Sequence, residues 1–261
     1  MANIALVVEY DGAQFFGFQK QKQNFRTIQE ELEKALSKFA NHEINITTAG
    51  RTDTGVHALF QVVNFKTDAK RQMYGWMRGV NALLPDDIVI HEAVIVPEDF
   101  DARFSAISRS YKYYLLQDRA ASAILCGKLG LYYKKLDVES MRVAGEYLIG
   151  LHDFSAFRAS DCQANTPTRN LTCFNLSWQG NLLCFEFTAN AFLYHMIRNI
   201  IGALVYVGVG KLSVAEFKKL FLSKDRTKAP PTFMPDGLYL SHVAYKEEYF
   251  SYQPKTYFSC L

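Results

Sequence analysis

The sequence predicts an α/β protein made of two β-α-β-β-α-β halves, each a mainly antiparallel sheet with helices on one face. Three observations predict it. Residues 1–10 alternate apolar and polar, with Ile4, Leu6 and Val8 on one side, as a half-buried strand does. Leu32, Ala35, Leu36 and Phe39 recur at helical spacing. After residue 106 the same succession of periods comes round again, with one helix added.

The elements follow in order. Asp11-Gly12 closes the first strand. Thr27, with Glu30 three residues on, has the form of a capping box and opens a helix that ends near Asn41. Ile44–Thr48 and Phe60–Phe65 read as strands. A second helix is expected over Ala69–Leu84, with Met73, Trp76, Val80 and Leu84 on one stripe, and Ile88–Val96 as a fourth strand. This is the split βαβ order of ferredoxin-like domains. A linker, about Pro97–Ser108, leads to a strand with Tyr111, Tyr113 and Leu115 on one face. Residues 118–136 have no clean period; Leu136–Leu148 is helical, and 152–169 is a long connection. Leu171–Trp178 and Leu182–Thr188 form a hairpin through Gln179-Gly180-Asn181. Helices are expected over Phe192–Tyr206 and Ser213–Leu222, and a last strand over Leu238–Tyr245. The expected domains are therefore 1–105 and 106–246, their sheets merging to leave a central cleft. Residues 247–261, with Tyr249, Phe250, Tyr252, Tyr257 and Phe258 out of period, are expected to be a loosely held tail.

Composition narrows the class. No run approaches the ~18 apolar residues of a membrane span, and the first fifteen residues, with Glu9 and Asp11, read as neither signal nor transit peptide. The five cysteines (Cys126, Cys162, Cys173, Cys184, Cys260) make no CxxC pair, which suits a cytoplasmic location. The net charge of +3 is unevenly spread: residues 1–105 sum to −3 and residues 106–261 to +6. A basic second half is a candidate surface for an anionic partner.

The polar stretch Gly50-Arg51-Thr52-Asp53-Thr54-Gly55-Val56-His57-Ala58 lies between two strands and holds a guanidinium and a carboxylate between glycines. Read alone it is either a glycine-rich surface hairpin or a carboxylate site. Arg198 supplies a second signal, because it stands in an expected helix that is apolar nearly all round. A guanidinium there either snorkels to water or pairs with an acid, and Asp53 is the candidate. Tyr194 and His195 lie one turn earlier. Lys20, Lys22 and Arg26 flank the aromatic-rich loop Phe15–Gln23 and form the best group of nucleic-acid contacts, while Arg103 and Arg158 are either phosphate contacts or solvated arginines. The six histidines show no HxxxH or HxH spacing, and Walker, dinucleotide and GxSxG motifs are absent, so no metal or cofactor is expected. What remains is glycosidic-bond chemistry, proton transfer, or binding without chemistry.

The Gly50–Ala58 stretch resembles the signature of the bacterial pseudouridine synthases that modify positions 38 to 40 of the tRNA anticodon stem-loop. The resemblance extends over Tyr10-Asp11-Gly12, Gly17-Phe18-Gln19, Thr27-Ile28-Gln29, Asn81–Pro85, Ala102–Ala106, Tyr111-Lys112-Tyr113, His152–Phe157, Phe192–Asn199 and Gly237–Leu240, in order across residues 1 to 245. It implies Asp53 as catalytic carboxylate, Arg51 positioning RNA, Tyr111 stacking on the target uracil, and Arg198 paired with Asp53. It also implies a homodimer that acts on tRNA without metal or organic cofactor. Two departures are Phe18, where the family commonly has Trp, and Asp101, where some members have His. Two other classes stay in view: an RNA-binding protein whose sheets stack bases without catalysis, and an N-glycosylase that releases free uracil.

Overall fold

The computed structural model describes residues 1–23, 25–255 and 258; Tyr257 of the expected tail and Cys260 lie outside them. In chain order the first elements are β1 (Ala2–Tyr10), α1 (Ile28–Ala40), β2 (Thr47–Thr48), β3 (His57–Thr67), α2 (Met73–Asn81) and β4 (Ile88–Val96). Next come β5 (Ala106–Gln117), β6 (Gly130–Tyr132), α3 (Val138–Glu146), β7 (Gly150–Asp153), β8 (Thr168–Gln179) and β9 (Leu182–Ala189). The last are α4 (Met196–Gly208), α5 (Val214–Ser223) and β10 (Leu238–Tyr245). Two compact units result, one of Met1–Ser108 with the described residues from Tyr239 to Lys255, the other of Arg109–Leu238. Both are α/β, with a mainly antiparallel sheet and flanking helices.

In the first unit β1 lies between β4 and β3, antiparallel to both, with Ile4 opposite Ile95 on one side and Phe65 on the other. β2 joins β3 antiparallel, and β10 joins it in parallel at Tyr239/His57 and Leu240/Ala58. The expected boundary placed this last strand with the second half; in the structure it completes the first. α1 starts at Thr27, whose hydroxyl accepts the Glu30 N–H, and stops at Asn41 in the left-handed conformation. Trp76 of α2 fixes the helical layer, its ring 5.1 Å from Phe39 and 5.2 Å from Phe65.

β1 differs from the half-buried strand expected, since Asn3–Val8 are buried on both faces. The second cover is the linker and the tail. Asn3 donates to the carbonyls of Pro97 and Phe100 at 2.9 Å, and Asn64 Oδ1 accepts the Ala102 N–H. Phe60 meets Phe250 and Tyr252, and the Tyr252 ring lies flat on His91 at 4.2 Å with 5° between planes. The N–H groups of Ser251 and Tyr252 donate to the Glu92 carboxylate at 2.9 Å. Residues 247–252 are thus tied down, contrary to the loose tail expected: aromatics docking on a sheet face follow that face's geometry and need no period of their own.

In the second unit β9 lies between β5 and β8, and β7 extends the sheet beyond β8. β6 runs parallel to β5. The hairpin expected at Gln179-Gly180-Asn181 is present, with Gly180 at φ +59°. β6 and β7 were not foreseen, being three and four residues long. Several expected spans were too long, among them α3, which covers Val138–Glu146 rather than Leu136–Leu148. Ile44–Thr48 pairs only at Thr47–Thr48, α2 covers Met73–Asn81 rather than Ala69–Leu84, and α4 begins at Met196 rather than Phe192. His195 stands at φ +60° and breaks the helical course there, so Phe192–His195 is irregular despite its apolar pattern.

Candidate active site

The Gly50–Val56 loop connects β2 to β3, and buried polar groups hold it from below. The Tyr10 hydroxyl is 2.7 Å from Thr52 Oγ1, and Gln61 Nε2 donates to the Gly50 carbonyl at 2.7 Å. Burial pushes the Tyr10 pKa up to about 12, so the phenol stays neutral and available as a donor. A second strand of chain fastens the loop from the side. Phe18 N–H donates to the Thr52 carbonyl at 3.0 Å, and Gly55 N–H to the Phe15 carbonyl at 3.4 Å. Two glycines allow that approach. A Cβ on Gly12 would sit 1.9 Å from the Val56 carbonyl oxygen, and Gly17, at φ +87°, would bring one to 3.0 Å from the Thr52 carbonyl oxygen.

Asp53 stands at the turn of this loop, its carbonyl accepting the Val56 N–H at 3.1 Å, and it is half-buried. Arg51 is exposed and donates to Gln19 Oε1 at 2.6 Å. His57 is buried, its Nδ1 accepts the Gly12 N–H at 3.0 Å, and its ring stacks on Tyr239 at 4.5 Å. Phe18, the first departure from the family pattern, is buried with its ring 6.2 Å from that of Tyr10. Asp101, the second, accepts the N–H groups of Arg103 and Phe104 and so shapes the linker.

The three basic residues expected to act as a group separate. Lys20 and Lys22 are exposed. Arg26 instead grips Asp87 through two hydrogen bonds of 2.7 and 2.9 Å and lies 4.1 Å over the Phe15 ring. The hydrogen bond to Asp87 is the chief cause that raises its pKa further. Arg103 is exposed, its guanidinium 5.2 Å from the Phe104 ring.

In the second unit Tyr111 and Tyr113 share one face of β5. Tyr111 is 9 % exposed, with its ring edge-on to Phe192 at 5.0 Å. Tyr113 is fully buried and donates to the Met234 carbonyl at 3.0 Å; burial holds its pKa well above the usual range. Arg198 stands in the first turn of α4, where the helix dipole disfavours a cation. It is held there by Phe233: Arg198 Nε donates to the Phe233 carbonyl at 2.9 Å, and Phe233 N–H returns a bond to the Arg198 carbonyl at 3.1 Å. The Phe233 ring lies 5.9 Å from Tyr113, so Tyr113 and Arg198 converge on one residue. His195 stacks against Tyr194 at 3.9 Å, and Arg158 donates to the carbonyls of Cys162 and Ala164.

Sequence reasoning missed the network that supports this end of α4. Asn199, buried next to Arg198 in a mainly apolar helix, accepts from Thr232 Oγ1 at 2.7 Å and Arg226 Nη2 at 3.1 Å, and donates to the Phe157 carbonyl at 2.8 Å. The signal was an amide in an apolar stripe, which has to find partners inside the fold. Tyr10 and Gln61 were missed for another reason, since alternation shows only which strand face they occupy, and Thr52 because its partner Tyr10 lies 42 residues earlier in the chain. Among the described residues no group of three or more His, Cys, Asp or Glu side chains is placed to hold a metal ion, and no helix is long and apolar enough to cross a membrane.

Comparison with known proteins completes the identification. The sequence pattern of the tRNA pseudouridine synthase family matches residues 6–105 and 144–246, which include Asp53 and Arg198 but not Tyr111. The chain is 52% identical over 247 residues to tRNA pseudouridine synthase A of Chromobacterium violaceum, 94% of each chain. It is 52% identical over 242 residues to the protein of that name from Nitrosomonas europaea, covering 93% of this chain and 89% of the relative. With that of Paraburkholderia phytofirmans it shares 46% identity over 256 residues, 98% and 94% of the two chains. A match of this extent, carried by both stretches of the family pattern, makes the chain a member of the tRNA pseudouridine synthase family, and so an isomerase enzyme.

Proposed function

We propose that this enzyme converts uridine to pseudouridine at positions 38, 39 and 40 of the tRNA anticodon stem-loop, with Asp53 as the catalytic carboxylate. The observation that carries the residue assignment is the fastening of its loop. A carboxylate that must act within one nucleotide, while the base turns beside it, needs a fixed position. The Tyr10–Thr52, Gln61–Gly50 and Phe18–Thr52 bonds give the Asp53 backbone that rigidity.

The reaction breaks the N1–C1′ bond and makes a C5–C1′ bond; C5 then loses its proton and N1 regains one. Atoms and electrons balance within one nucleotide, so the reading assigns no metal or organic cofactor. Asp53 attacks C1′, adds to the uracil ring, or takes the C2′ proton as a glycal-like intermediate forms. Tyr111 is assigned as the platform on which the detached uracil stacks while it turns. Arg198 is assigned as the cation that pairs with Asp53 and aims it; the support is the resemblance of Phe192–Asn199 to the family pattern and the need of a half-buried guanidinium for an anion. Arg51, Arg103, Lys20 and Lys22 are assigned to the RNA backbone, which repays the unstacking of the target nucleotide. The reading also holds that the two units copy one split βαβ plan, that the enzyme is a homodimer, and that it works in the cytoplasm. The order β4-β1-β3, with β2 beyond β3, supports the first of these for residues 1–96.

The alternative of a non-catalytic binder that stacks bases on an open sheet has an observation against it. In the first unit that face is occupied by Phe100, Phe250 and Tyr252. Carbodiimide labelling of pseudouridine with primer extension on a tRNA bearing uridines at 38 to 40 tests the proposal. Stops confined to those positions are expected. Conversion only elsewhere in the tRNA would sink the assignment of site, and release of free uracil would sink the isomerisation.

A further inference from the structure

Arg226 fastens the chain that follows α5 to the start of α4. It opens a single 3₁₀ turn, Arg226–Lys228, whose entry is fixed by Asp225: that carboxylate accepts the Thr227 N–H at 3.0 Å and the Thr227 hydroxyl at 2.6 Å. Pro230-Pro231 comes next and brings no backbone N–H, so a helical or strand ladder cannot hold this stretch. The Arg226 guanidinium holds it instead. Nη1 donates to the carbonyls of Ala229 and Pro230 at 3.2 and 3.1 Å. Nη2 donates to Thr232 Oγ1 at 3.2 Å and to Asn199 Oδ1 at 3.1 Å. A planar fork of N–H donors reaches these neutral acceptors together, which one ammonium or one amide cannot do.

Two of those acceptors flank the Arg198–Phe233 pair. Arg198 Nε donates to the Phe233 carbonyl at 2.9 Å, and Phe233 N–H donates back to the Arg198 carbonyl at 3.1 Å. Asn199 follows Arg198 in the chain, Thr232 precedes Phe233, and the Thr232 hydroxyl donates to Asn199 Oδ1 at 2.7 Å. One nitrogen of Arg226 therefore spans the neighbours of both partners. Asn199 is itself anchored, being buried with Nδ2 on the Phe157 carbonyl at 2.8 Å. The stretch lies close on the helix: a Cβ on Gly202 would sit 2.4 Å from the Pro231 carbonyl oxygen. Because a guanidinium is planar, a bond at Nε fixes its plane, and the place of the Phe233 carbonyl decides where the Arg198 Nη groups stand.

We propose that Arg226 is a positioning residue of the isomerisation: it sets the backbone of Thr232 and Phe233 and, through the Phe233 carbonyl, the aim of the Arg198 guanidinium. This role rests on the reading of Arg198, proposed above, as the cation that aims Asp53. Arg226 acts without touching RNA, since its Nη groups are committed to protein acceptors. A misplacement of about 1 Å that starts far from the reacting atoms costs up to about a hundred-fold in rate.

The test is the single-turnover rate of pseudouridine formation at saturating full-length enzyme, with tRNA binding measured beside it. At saturation the rate constant does not depend on how much of the enzyme is folded, so a merely structural role would lower stability and leave it unmoved. Arg226→Gln is expected to lower the rate constant about ten- to a hundred-fold, with Kd for tRNA and the slope of log Kd against log salt unchanged. A wild-type rate constant in a folded Arg226→Gln variant would overturn the role. A slope lowered by about 0.7–0.9 would overturn it too, by making Arg226 a phosphate contact. Thr232→Val, which removes one hydroxyl at nearly constant shape, decides if Arg226→Gln does not fold: a loss of about three- to ten-fold is expected, and an unchanged rate constant is contrary. In an Arg198→Met background Arg226→Gln is expected to add less than about a two-fold loss, because residues that act through one another are not additive. A full second loss would overturn the route through Arg198. Arg198→Met working at the wild-type rate sinks the reading of Arg198 beneath this role; a slow Arg198→Met beside a fast Arg226→Gln sinks the positioning role alone.

Discussion

The Tyr10 hydroxyl and Thr52 Oγ1 lie 2.7 Å apart in the buried floor of the first unit, joining β1 to the residue before Asp53. Gln61 Nε2 reaches the same hydroxyl at 3.4 Å and the Gly50 carbonyl at 2.7 Å, so one small network carries both ends of the loop. Tyr10→Phe removes the shared group and leaves the Thr52 hydroxyl to find another partner. The expected cost is about 1–2 kcal/mol of stability, with a fall in turnover larger than any loss of tRNA affinity. Denaturant titration and single-turnover kinetics on the same preparation check it. Unchanged turnover in a measurably destabilised variant would detach this network from catalysis.

The tail is a structural part of the first unit. Tyr252 stacks on His91, and its N–H, with that of Ser251, takes up the Glu92 carboxylate. Truncation after Lys246 is expected to lower the melting temperature by several degrees, and Tyr252→Ala alone to cost about 1–3 kcal/mol from the loss of ring burial and stacking. Differential scanning fluorimetry reads both. A truncated chain as stable as wild type would contradict the docking.

Arg26 separates a structural arginine from an RNA-binding one. Its guanidinium is committed to Asp87 and to the Phe15 ring, at side-chain exposures of 36% and 24% for the ion pair. Arg26→Met is expected to cost up to about 1 kcal/mol, the discount reflecting solvent screening of a partly exposed pair. It is expected to leave the salt slope of tRNA binding where it was. Lys20 and Lys22, both exposed, are the residues of that loop whose loss is expected to lower the slope. A lowered slope for Arg26→Met would return it to the RNA surface.

His242 gives the fold a pH dependence of known sign. Burial lowers its pKa below the ordinary 6.5, and its ring lies 4.7 Å from Phe60. Below pH 6.5 the unfolded chain therefore binds a proton that the folded chain resists, and stability falls as pH falls through that window. His242→Gln is expected to lose less stability than wild type between pH 7.5 and pH 5.5. Chemical denaturation at the two pH values decides it; equal losses would place the pH dependence on other groups.

Much of this was legible in the chain because the signals were local. Thr27 and Asn41 bounded α1 through the chemistry of their own side chain and backbone, and Gln179-Gly180-Asn181 fixed a hairpin register in three residues. The Asp53 loop stood out because a guanidinium and a carboxylate sat between two strands that periodicity could find. What escaped depended on distant partners. Nothing local says that β10 pairs with β3, more than 170 residues earlier. The apolar run from Phe192 concealed a break because His195 stands at positive φ as the N-cap of α4, a backbone state that side-chain periodicity does not report. The tail hid its docking for the same reason: Glu92, His91 and Phe60 are its partners, and its own sequence carries no trace of them.

The central claim is that Asp53 performs the isomerisation. Tritium release from tRNA labelled at uridine C5 tests it most directly, because C5 gives up its hydrogen only when it becomes bonded to C1′. Wild type is expected to release tritium, and Asp53→Asn to bind the same tRNA without release above background. Release by Asp53→Asn at the wild-type rate would contradict the account and leave the fastened loop as architecture alone.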